Sequence, residues 1–399
     1  MKRIRRYALL MAVAPLLAAG HANAAPTNNP QTLHVFYTAK PNGTQPLGLI
    51  LGPDAAYYGI TENGGIGIRG YGAFYRIDAS TGRFSLLHQF DPTIDGCKPS
   101  LNLILGLDGN FYGIGSTFSE GQGCLFRLSA TGEYTTVYTF DKGDSSASIL
   151  YNLVEDAQGN WYGTGTEGAF RDGVVFELTR DGVFKTLHNF TAGSDGAEPD
   201  ASLLLASDGN LYGSTRSGGV DEGQAGAGTL FRITPSGTFT TLHEFSYTES
   251  GDNGGPVNAL VEGPDGALYG TTSGGSFTGN RNPAFFRMTL DGEVTTLFSF
   301  PNDPFGEPDP PSSALTWMPD GNFYGVCASP TVGDNGIIFR ISPSGAYSQL
   351  YAFTGQGRNG SYPAGTLVIG VDNALYGTTV YGGSRNQGTV FRYVPPPVQ

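Results

Sequence analysis

The amino-acid sequence predicts an all-β fold, a seven-bladed β-propeller with four antiparallel strands in each blade. A Tyr-Gly pair, followed by a Gly-rich loop and a Phe, recurs seven times with its tyrosine at Tyr58, Tyr112, Tyr162, Tyr212, Tyr269, Tyr324 and Tyr376. The successive spacings of 54, 50, 50, 57, 55 and 52 residues are near the period of propeller repeats. No stretch beyond residue 24 keeps helical periodicity for three turns.

Each repeat has the pattern of four short strands, and the fourth repeat illustrates them. An apolar segment at 203–208 precedes the Tyr-Gly strand at 211–215, a Gly-rich loop leads to 228–233, and an alternating segment follows at 238–245. Alternation with a period of two indicates half-buried antiparallel strands. Gly with Asp, Asn or Ser at the turns accepts the positive φ that tight hairpins require.

The chain ends predict how the ring closes. The fourth strand ends in a phenylalanine that also occurs seven times, at Phe36, Phe90, Phe140, Phe190, Phe245, Phe300 and Phe353. The first of these precedes any complete repeat, and the last repeat stops after its third strand, at Arg392. The strand at 32–36 therefore completes the last blade, which removes exposed sheet edges. An open solenoid is the alternative, and the permuted ends disfavour it.

Residues 1–24 have the features of a secretory signal peptide. Basic residues at positions 2, 3, 5 and 6 precede an apolar run at 7–20 and an Ala22-Asn23-Ala24 cleavage pattern. The run is shorter than the roughly 20 residues of a membrane span; an uncleaved anchor or a buried N-terminal helix is the alternative. We expect a secreted or periplasmic protein with no membrane span after cleavage.

The mature chain, residues 25–399, is expected to form one domain. The predicted repeats are approximately 37–90, 91–140, 141–190, 191–245, 246–300, 301–353 and 354–394, with the closing strand at 32–36. Signal removal leaves 18 Lys and Arg against 35 Asp and Glu, a net charge near −17. Such a surface repels nucleic acid and anionic lipid, so neither is an expected partner.

Three cysteines in an exported chain leave an odd thiol. Cys97 and Cys124 belong to one repeat and could pair in a disulfide if its loops fold back on one face. Cys327 is expected to be buried near the end of a second strand. Three unpaired buried thiols are the alternative.

The set of motifs DG-x-LYGTT, GG, GTVFRI and TLHxF resembles the GloVer-type tandem repeat of choice-of-anchor exported bacterial proteins. The resemblance covers essentially the whole mature chain. It implies an exported β-propeller and no settled activity. Members with a C-terminal sorting tail differ from this chain, whose residues 394–399 carry no anchor pattern.

Residues that recur in every blade are interpreted as structural. His34, His88, His188 and His243 occupy one equivalent place, two residues before the fourth-strand Phe. The third-strand arginines recur in the same way, at Arg76, Arg127, Arg232, Arg287, Arg340 and Arg392. The third repeat has Glu177 there, which we interpret as a surface exchange.

Function in repeat folds is expected where the repeats differ, in the loops of one face. The candidate ligand-binding residues in these loops are Arg69, Arg171, Arg216, Arg281, Arg358 and Arg385. Arginine forks on an acidic protein suit carboxylate or sulfate groups, which predicts an anionic ligand such as a uronic-acid glycan. Loop aromatics that suit sugar stacking are Tyr71, Phe118, Phe170, Phe277, Tyr362 and Tyr381. The alternative is that the arginines pair locally with Asp172, Asp221, Glu222 and Asp334.

Two catalytic schemes remain open at the same face. A polysaccharide lyase needs a base such as Tyr381, Tyr71 or Tyr362 near an arginine, either Arg385 or Arg69. A glycoside hydrolase needs paired carboxylates, for which Glu62, Glu167, Asp221 and Glu222 are available. The chain shows no motif for a nucleophilic serine, a phosphate loop, zinc or calcium, so no metal and no cofactor is predicted.

The sequence as a whole favours a monomeric propeller that binds a polysaccharide or another anionic ligand on its loop-rich face. An enzyme at that face, with Tyr381, Glu62 and Glu167 as candidate catalytic residues, is the second interpretation. A structural or protein-interaction module of the cell envelope is the third. Fold alone does not decide among them.

Overall fold

A computed structural model describes the chain from residue 29 onward, with gaps. The described ranges are 29–37, 42–64, 70–91, 93–99, 103–117, 123–140, 153–165, 168–199, 201–221, 224–246, 255–274, 282–300, 311–328 and 335–398. The predicted signal peptide lies outside these ranges. Within them, no helix is long and apolar enough to cross a membrane.

The described residues form seven antiparallel sheets, which are the seven blades of a β-propeller. Their innermost strands are β2 (Thr44–Leu51), β6 (Cys97–Pro99) with β7 (Ile104–Leu105), β11 (Val154–Glu155), β15 (Leu204–Leu205), β21 (Pro256–Glu262), β25 (Thr316–Met318) and β29 (Gly360–Ile369). The second strands are β3 (Tyr57–Asn63), β8 (Phe111–Thr117), β12 (Trp161–Gly165), β16 (Leu211–Ser214), β22 (Leu268–Thr272), β26 (Asn322–Cys327) and β30 (Leu375–Gly382).

The outer half of each blade follows the same plan. The third strands are β4 (Ala73–Ile77), β9 (Gly123–Leu128), β13 (Val174–Leu178), β19 (Thr229–Ile233), β23 (Ala284–Met288), β27 (Ile337–Ile341) and β31 (Thr389–Tyr393). The outermost are β5 (Phe84–Gln89), β10 (Tyr134–Thr139), β14 (Phe184–Asn189), β20 (Phe239–Glu244), β24 (Val294–Ser299), β28 (Tyr347–Ala352) and β1 (Gln31–Val35). A short ribbon, β17 (Val220–Asp221) with β18 (Gln224–Ala225), extends a loop of the fourth blade. The predicted fold class is confirmed.

The ring closes through the N-terminal strand, as predicted. In the seventh blade β1 pairs antiparallel with β31 and thereby supplies the fourth strand. Phe36, next to it, is fully buried, with its ring 5.2 Å from that of Tyr75 in the first blade. Closure at the second strands is reinforced by stacking of Tyr57 in β3 on Tyr376 in β30 at 3.9 Å.

The hydrophobic core is divided among the junctions between neighbouring blades, one cluster at each. The Tyr-Gly glycine is needed there because a third-strand phenylalanine lies against its α-carbon. A Cβ at Gly213 would be 2.4 Å from Cζ of Phe231. Any larger residue would displace this ring, which explains why the pair recurs in every repeat.

The repeated tyrosines and arginines join in a motif at the face that carries the tight turns, here named the turn face. Each tyrosine donates its hydroxyl to the aspartate of the preceding turn, in the pairs Tyr58–Asp54, Tyr112–Asp108, Tyr162–Asp156, Tyr212–Asp208, Tyr269–Asp265, Tyr324–Asp320 and Tyr376–Asp372. Third-strand arginines form ion pairs of 2.7–2.8 Å with Asp54, Asp265 and Asp372. These residues therefore build blades, as their recurrence indicates.

Glu177 is not the surface exchange that the sequence suggested. Its side chain is only 13% exposed, and its carboxylate lies 3.6 Å from Nζ of Lys185. It also accepts a hydrogen bond of 3.4 Å from the hydroxyl of Tyr162. Glu177 thus takes the place of the arginine inside the motif, with Lys185 as its counterion.

The turn-face motif predicts a stability plateau bounded on both sides by pH. Burial works to raise the pKa of Asp265, but the hydrogen bond and charge of Arg287 hold it below its ordinary 3.8. Burial, with the Asp208 hydrogen bond, raises the pKa of Tyr212 to about 12. Unfolding therefore takes up protons in acid and releases them in alkali.

We expect the free energy of unfolding to fall as the pH drops below about 4 and as it rises above about 10. Denaturant midpoints measured from pH 2 to 12 check this. Asp265→Asn should reduce the loss of stability between neutral and acidic pH. Asp181→Asn, on an exposed turn, should leave that loss unchanged. Equal stability at pH 3 and pH 7 would contradict the account.

The fourth-strand histidines pack between blades. Nε2 of His88 lies 2.8 Å from the Asp95 carboxylate, and Nε2 of His188 lies 3.1 Å from that of Asp195. The His188 ring stacks on Phe239 of the next blade at 3.8 Å. These contacts support the structural interpretation of the histidines.

Cysteine pairing is visible in the second blade. Cys97 in the inner strand and Cys124 in the third strand form a disulfide, and both are buried. Cys327 is the last residue of β26 and is also buried. The bond ties the two strands across β8, which lies between them.

Candidate functional site

The inner strands begin at the face opposite the turn face, here named the loop face. Inner strands of neighbouring blades contact one another, for example β2 with β29, so they surround the central axis. A proline stands near the start of most of them. We name the residues that precede these prolines the mouth positions, and the described ones are Gln45, Lys98, Glu198, Gly255 and Tyr362.

A backbone contact holds three mouth positions to the preceding blade. The amide N–H groups of Gln45, Glu198 and Tyr362 donate to the carbonyls of Gln387, Asp172 and Asn335 over 2.8–3.0 Å. All three donors have positive φ, between 54° and 58°. Non-glycine residues pay on the order of 1–2 kcal/mol in that region, so the contact must hold them there.

The proline after each mouth position completes this contact. Cδ of Pro199 lies 2.2 Å from the position that a Cβ of Gly173 would occupy, and Pro363 and Pro46 face Gly336 and Gly388 in the same way. The preceding blade therefore needs glycine at this point. Because this contact is made by backbone and proline atoms, it does not depend on which side chain stands at the mouth position.

The mouth side chains do differ, and so do their neighbours on the second strands. The mouth offers an amide at Gln45, an ammonium at Lys98, a carboxylate at Glu198 and a phenol at Tyr362. Strand pairing places Glu62 beside Gln45, and Arg216 donates its amide N–H to the carbonyl of Glu198 over 3.0 Å. Two residues that the sequence singled out, Glu62 and Arg216, thus lie next to mouth positions.

An aromatic pair marks the seventh-blade side of the mouth. The rings of Tyr362 and Tyr381 meet edge to face, with centroids 5.4 Å apart. Their residues are 38% and 37% exposed. On the adjoining first blade, the Asn63 side-chain amide donates to Oε1 of Gln45 over 2.6 Å and orients that amide. Aromatic and hydrogen-bonding surface therefore adjoin.

Charges at the two faces of the propeller are arranged in opposite ways. At the turn face, Arg76, Arg287 and Arg392 are ion-paired. In the described part of the chain, the side chains of Glu62, Lys98, Glu198 and Arg216 form neither a hydrogen bond nor an ion pair. These four charges are available to a ligand.

The other arginines singled out by the sequence are placed differently or lie outside the described residues. Arg69 and Arg281 are outside, as are Glu167, Phe118, Phe277, Glu222 and Asp334. The turn that carries Arg171 is held by a hydrogen bond from the amide of Ala169 to Asn189, at the end of an outer strand. The Arg358 carbonyl accepts a hydrogen bond from Thr32, also in an outer strand.

Arg385 lies in a similar turn. A Cβ at Gly383, two residues earlier, would meet the side chain of Val35 in the outer strand β1. Arg171, Arg358 and Arg385 are exposed, and none of them forms an ion pair with another described residue. Two of these turns also reach the mouth, because Asp172, next to Arg171, accepts the hydrogen bond from the amide of Glu198, and Gln387, two residues after Arg385, accepts the one from Gln45. Local ion pairing with Glu222 or Asp334 stays a prediction, because both lie outside the described residues.

Sequence reasoning missed Gln45, Lys98 and Glu198. The signal is the column before the inner-strand proline, where the residues are unlike one another while the proline repeats. No group of three or more His, Cys, Asp or Glu residues placed to hold a metal ion occurs within the described ranges. The mouth is therefore a site of amide, phenol and isolated charged groups.

Solved structures with a similar fold cover most of the chain. A virginiamycin B lyase from Staphylococcus aureus, with quinupristin bound, matches at a TM-score of 0.58 and 16% identity, over 92% of this chain and 99% of its own. An oligogalacturonate lyase in complex with manganese matches at 0.55 and 13%, over 90% and 89%. A periplasmic gluconolactonase from Pseudomonas aeruginosa matches at 0.51 and 19%, over 81% and 87%. At these identities the likeness shows the fold alone.

Sequence comparison identifies the repeat itself. A search among curated proteins found no match. Three overlapping segments, 22–168, 118–303 and 220–398, match the model of the Gloeobacter/Verrucomicrobia repeat and together span nearly the whole chain. This agrees with the resemblance seen in the DG, LYGTT and GTVFRI motifs. The chain therefore belongs to the Gloeobacter/Verrucomicrobia repeat family.

Proposed function

We propose that this protein is an exported propeller that binds an acidic carbohydrate, with uronic-acid or sulfated units, at the mouth of its loop face. The observation that carries the proposal is the set of unpaired, unlike charges at the mouth, beside an exposed tyrosine pair. Export is supported by the signal-peptide pattern of residues 1–24. Binding at a mouth built from several blades is typical of sites in repeat folds.

The tyrosine pair suits the apolar face of a sugar ring. Tyr362 and Tyr381 present two rings at right angles, each with a phenol that can hydrogen-bond beside the stacked surface. Gln45, held by Asn63, offers an amide donor and acceptor on the adjoining blade. A few polar groups around an aromatic surface are the composition expected of a site that orients a small ligand.

The acidic character of the ligand is inferred from Lys98 and Arg216. A guanidinium binds carboxylate or sulfate through two parallel hydrogen bonds, and an ammonium adds a point charge. Glu62 and Glu198 would accept hydrogen bonds from sugar hydroxyls. The exposed Arg171, Arg358 and Arg385, on the same face, would raise the local potential of a protein whose net charge is −13.

A lyase acting on the same glycan is the second candidate. The observation that favours it is that the partly exposed Tyr381 lies in the same blade as Arg385. Such a reaction needs a base, which Tyr381 would be, and a cation that neutralises the uronate, which Arg385 would be. One protein of similar fold is named an oligogalacturonate lyase, which acts on a uronic-acid oligosaccharide. Hydrolysis would instead use Glu62 with a second carboxylate, for which Glu167 is the candidate.

Calorimetric titration of the mature chain with polygalacturonate, a sulfated glycan and neutral dextran tests the proposal. We expect acidic polymers to bind, with an affinity that falls as salt rises. Lys98→Ala and Arg216→Ala should each weaken binding about tenfold, since a hydrogen bond to a charged group contributes about 1.5–3 kcal/mol. Arg83→Ala, which removes an exposed turn-face arginine, is the matched control.

Ultraviolet absorbance and reducing-end release, followed in the same mixtures, separate binding from catalysis. Absorbance from unsaturated uronates that disappears in Tyr381→Phe would establish the lyase. Reducing ends without absorbance would establish a hydrolase. If no acidic polymer binds, or if Lys98→Ala and Arg216→Ala bind as tightly as the unmodified chain, the mouth is not a glycan site and a structural module remains.

A further inference from the structure

Neighbouring blades meet through a repeated contact at the outer edge of the turn face. An outer-strand leucine of one blade packs against the glycine in the third-to-fourth-strand turn of the next blade. The five pairs are Leu33–Gly82, Leu87–Gly132, Leu187–Gly237, Leu242–Gly292 and Leu297–Gly345. In each, the Cβ that the glycine lacks would lie 2.3–3.7 Å from the leucine carbonyl oxygen.

The junction between the second and third blades lacks this contact. Val137 stands where the other blades have leucine, and it is 45% exposed. The turn glycine opposite is Gly182, and no atom lies within 4 Å of its Cβ position. A shorter side chain and an unoccupied glycine therefore coincide at one junction.

Ring distances show the same opening. At four other junctions, the aromatic ring two residues before the fourth-strand Phe stacks on the first aromatic ring of the next blade's outer strand. The centroid distances are 4.1 Å for His34–Phe84, 5.4 Å for His88–Tyr134, 3.8 Å for His188–Phe239 and 4.8 Å for Phe298–Tyr347. At this junction Tyr138 and Phe184 are 6.4 Å apart. This ring pair is therefore the most widely separated of the five.

The opening forms a cleft of about 470 Å³ on the turn face, away from the mouth. Its wall includes Tyr112 and Trp161, with ring centroids 4.6 Å apart, and Tyr138. Two apolar residues at its edge are exposed, Leu107 by 70% and Val137 by 45%. The volume is within the range of small-molecule sites, about 300–1,000 Å³.

One charge in the cleft has no partner. Arg180 lines it and is exposed, and within the described residues its guanidinium forms no hydrogen bond or ion pair. At the equivalent turn position the other blades have Ala79, Ala130, Pro235, Leu290 and Pro343. The arginine is thus specific to the open junction.

The two carboxylates that line the cleft are already engaged. Asp108 accepts hydrogen bonds from Tyr112 and from both the backbone and the side chain of Asn110. Glu155 accepts one of 2.7 Å from the amide of Leu107. Arg180 is therefore the charge in this cleft that a ligand can pair with.

We propose that the cleft is a second ligand site, independent of the mouth, for an amphipathic anion. Its ligand has an aromatic or aliphatic body, which occupies the space between Val137 and Trp161, and one carboxylate or sulfonate, which pairs with Arg180. Apolar burial against aromatic walls supplies the affinity, and the single unpaired guanidinium selects the anion. A polar glycan would offer no apolar surface to pack against the exposed side chains of Leu107 and Val137.

The probe for this site is 1-anilinonaphthalene-8-sulfonate, compared with its neutral analogue N-phenyl-1-naphthylamine. Fluorescence titration of the mature chain is expected to show one site for each. Val137→Leu restores the residue of the other junctions and should weaken both probes severalfold, because the added methylene narrows the cleft at its edge. It should also raise the thermal midpoint slightly, because that methylene adds apolar surface to the junction.

Arg180→Ala separates anion recognition from apolar binding. It should weaken the sulfonate about fivefold and leave the neutral analogue within about twofold, as expected for loss of one partly exposed ion pair. Arg83→Ala, in the equivalent turn of the first blade, should change neither. The proposal is overturned if the unmodified chain binds neither probe, if Val137→Leu binds both as before, or if Arg180→Ala weakens both probes equally.

Discussion

A mature chain that begins at residue 38 instead of residue 25 should not fold at room temperature. The deletion removes β1, which supplies the fourth strand of the seventh blade. It also removes Phe36, fully buried against Tyr75 and Phe84 of the first blade. Loss of one buried phenylalanine costs about 3–5 kcal/mol, and the unpaired edge of β31 adds to this.

The expected loss is comparable with the whole stability of a typical domain, about 5–15 kcal/mol. Circular dichroism and denaturant unfolding would measure it. A peptide of residues 29–37 added in trans should restore part of the signal. Deletion of residues 397–399, at the other end, should change stability by less than about 1 kcal/mol because Val398 is exposed. An unchanged denaturant midpoint after removal of β1 would contradict the closure argument.

The closure could be predicted because it depends on counting. The Tyr-Gly pair and the fourth-strand phenylalanine each occur seven times, yet Phe36 precedes the first repeat and Arg392 ends the last. Those counts are independent of any distance in the folded chain. Closing the ring also pairs the backbone N–H and C=O groups of the edge strand. The repeat pattern and the hydrogen bonding therefore both favour a closed propeller.

The mouth could be predicted only in part, because its position depends on the path of the loops. Four residues after the repeat tyrosine, Glu62 and Arg216 stand where the other repeats have small or apolar residues, and both adjoin the mouth. Arg171 and Arg358 belong to loops that hydrogen-bond to Asn189 and Thr32 of outer strands, and Asp172, next to Arg171, also accepts from the amide of Glu198 at the mouth. The sequence of a Gly-rich loop does not by itself predict on which side of the sheet the loop will fold.

The mouth positions themselves depend on backbone geometry. Tyr362 and Glu198 have positive φ because their amides reach the preceding blade, a contact between residues distant in sequence. Propensity predicts glycine or asparagine there, not tyrosine or glutamate. The useful signal was variation next to a proline that repeats in most blades, and it would have identified Lys98 and Gln45 as well.

The turn face and the loop face of the propeller have different roles. At the turn face, tyrosine, aspartate and arginine satisfy one another, which stabilises each blade and leaves little for a ligand except where Val137 opens a junction. At the loop face, backbone and proline join the blades, and the side chains of Glu198, Lys98 and Arg216 have no hydrogen-bond or ion-pair partner among the described residues. The atoms that stabilise the blades are therefore different from the atoms that we propose bind the ligand.

Replacement of both Cys97 and Cys124 by alanine is expected to lower stability and ligand affinity together. The disulfide closes a segment with a sequence separation of 27 residues, and constraint of a loop of that size contributes about 3–4 kcal/mol. Cys97 immediately precedes Lys98 in the short inner strand β6. Without the bond, that strand keeps its pairing with β8 but loses its covalent link to β9.

The loss of affinity should appear even where the variant remains folded, because a mobile Lys98 must be ordered on binding. Titration with polygalacturonate below the denaturation midpoint should show a several-fold weaker complex, and dithiothreitol should reproduce the effect in the unmodified chain. Arg83→Ala, which removes an exposed arginine of the turn face, should leave affinity unchanged. Wild-type affinity in the double variant would mean that the remaining pairing suffices to position Lys98, and the bond would then serve stability alone.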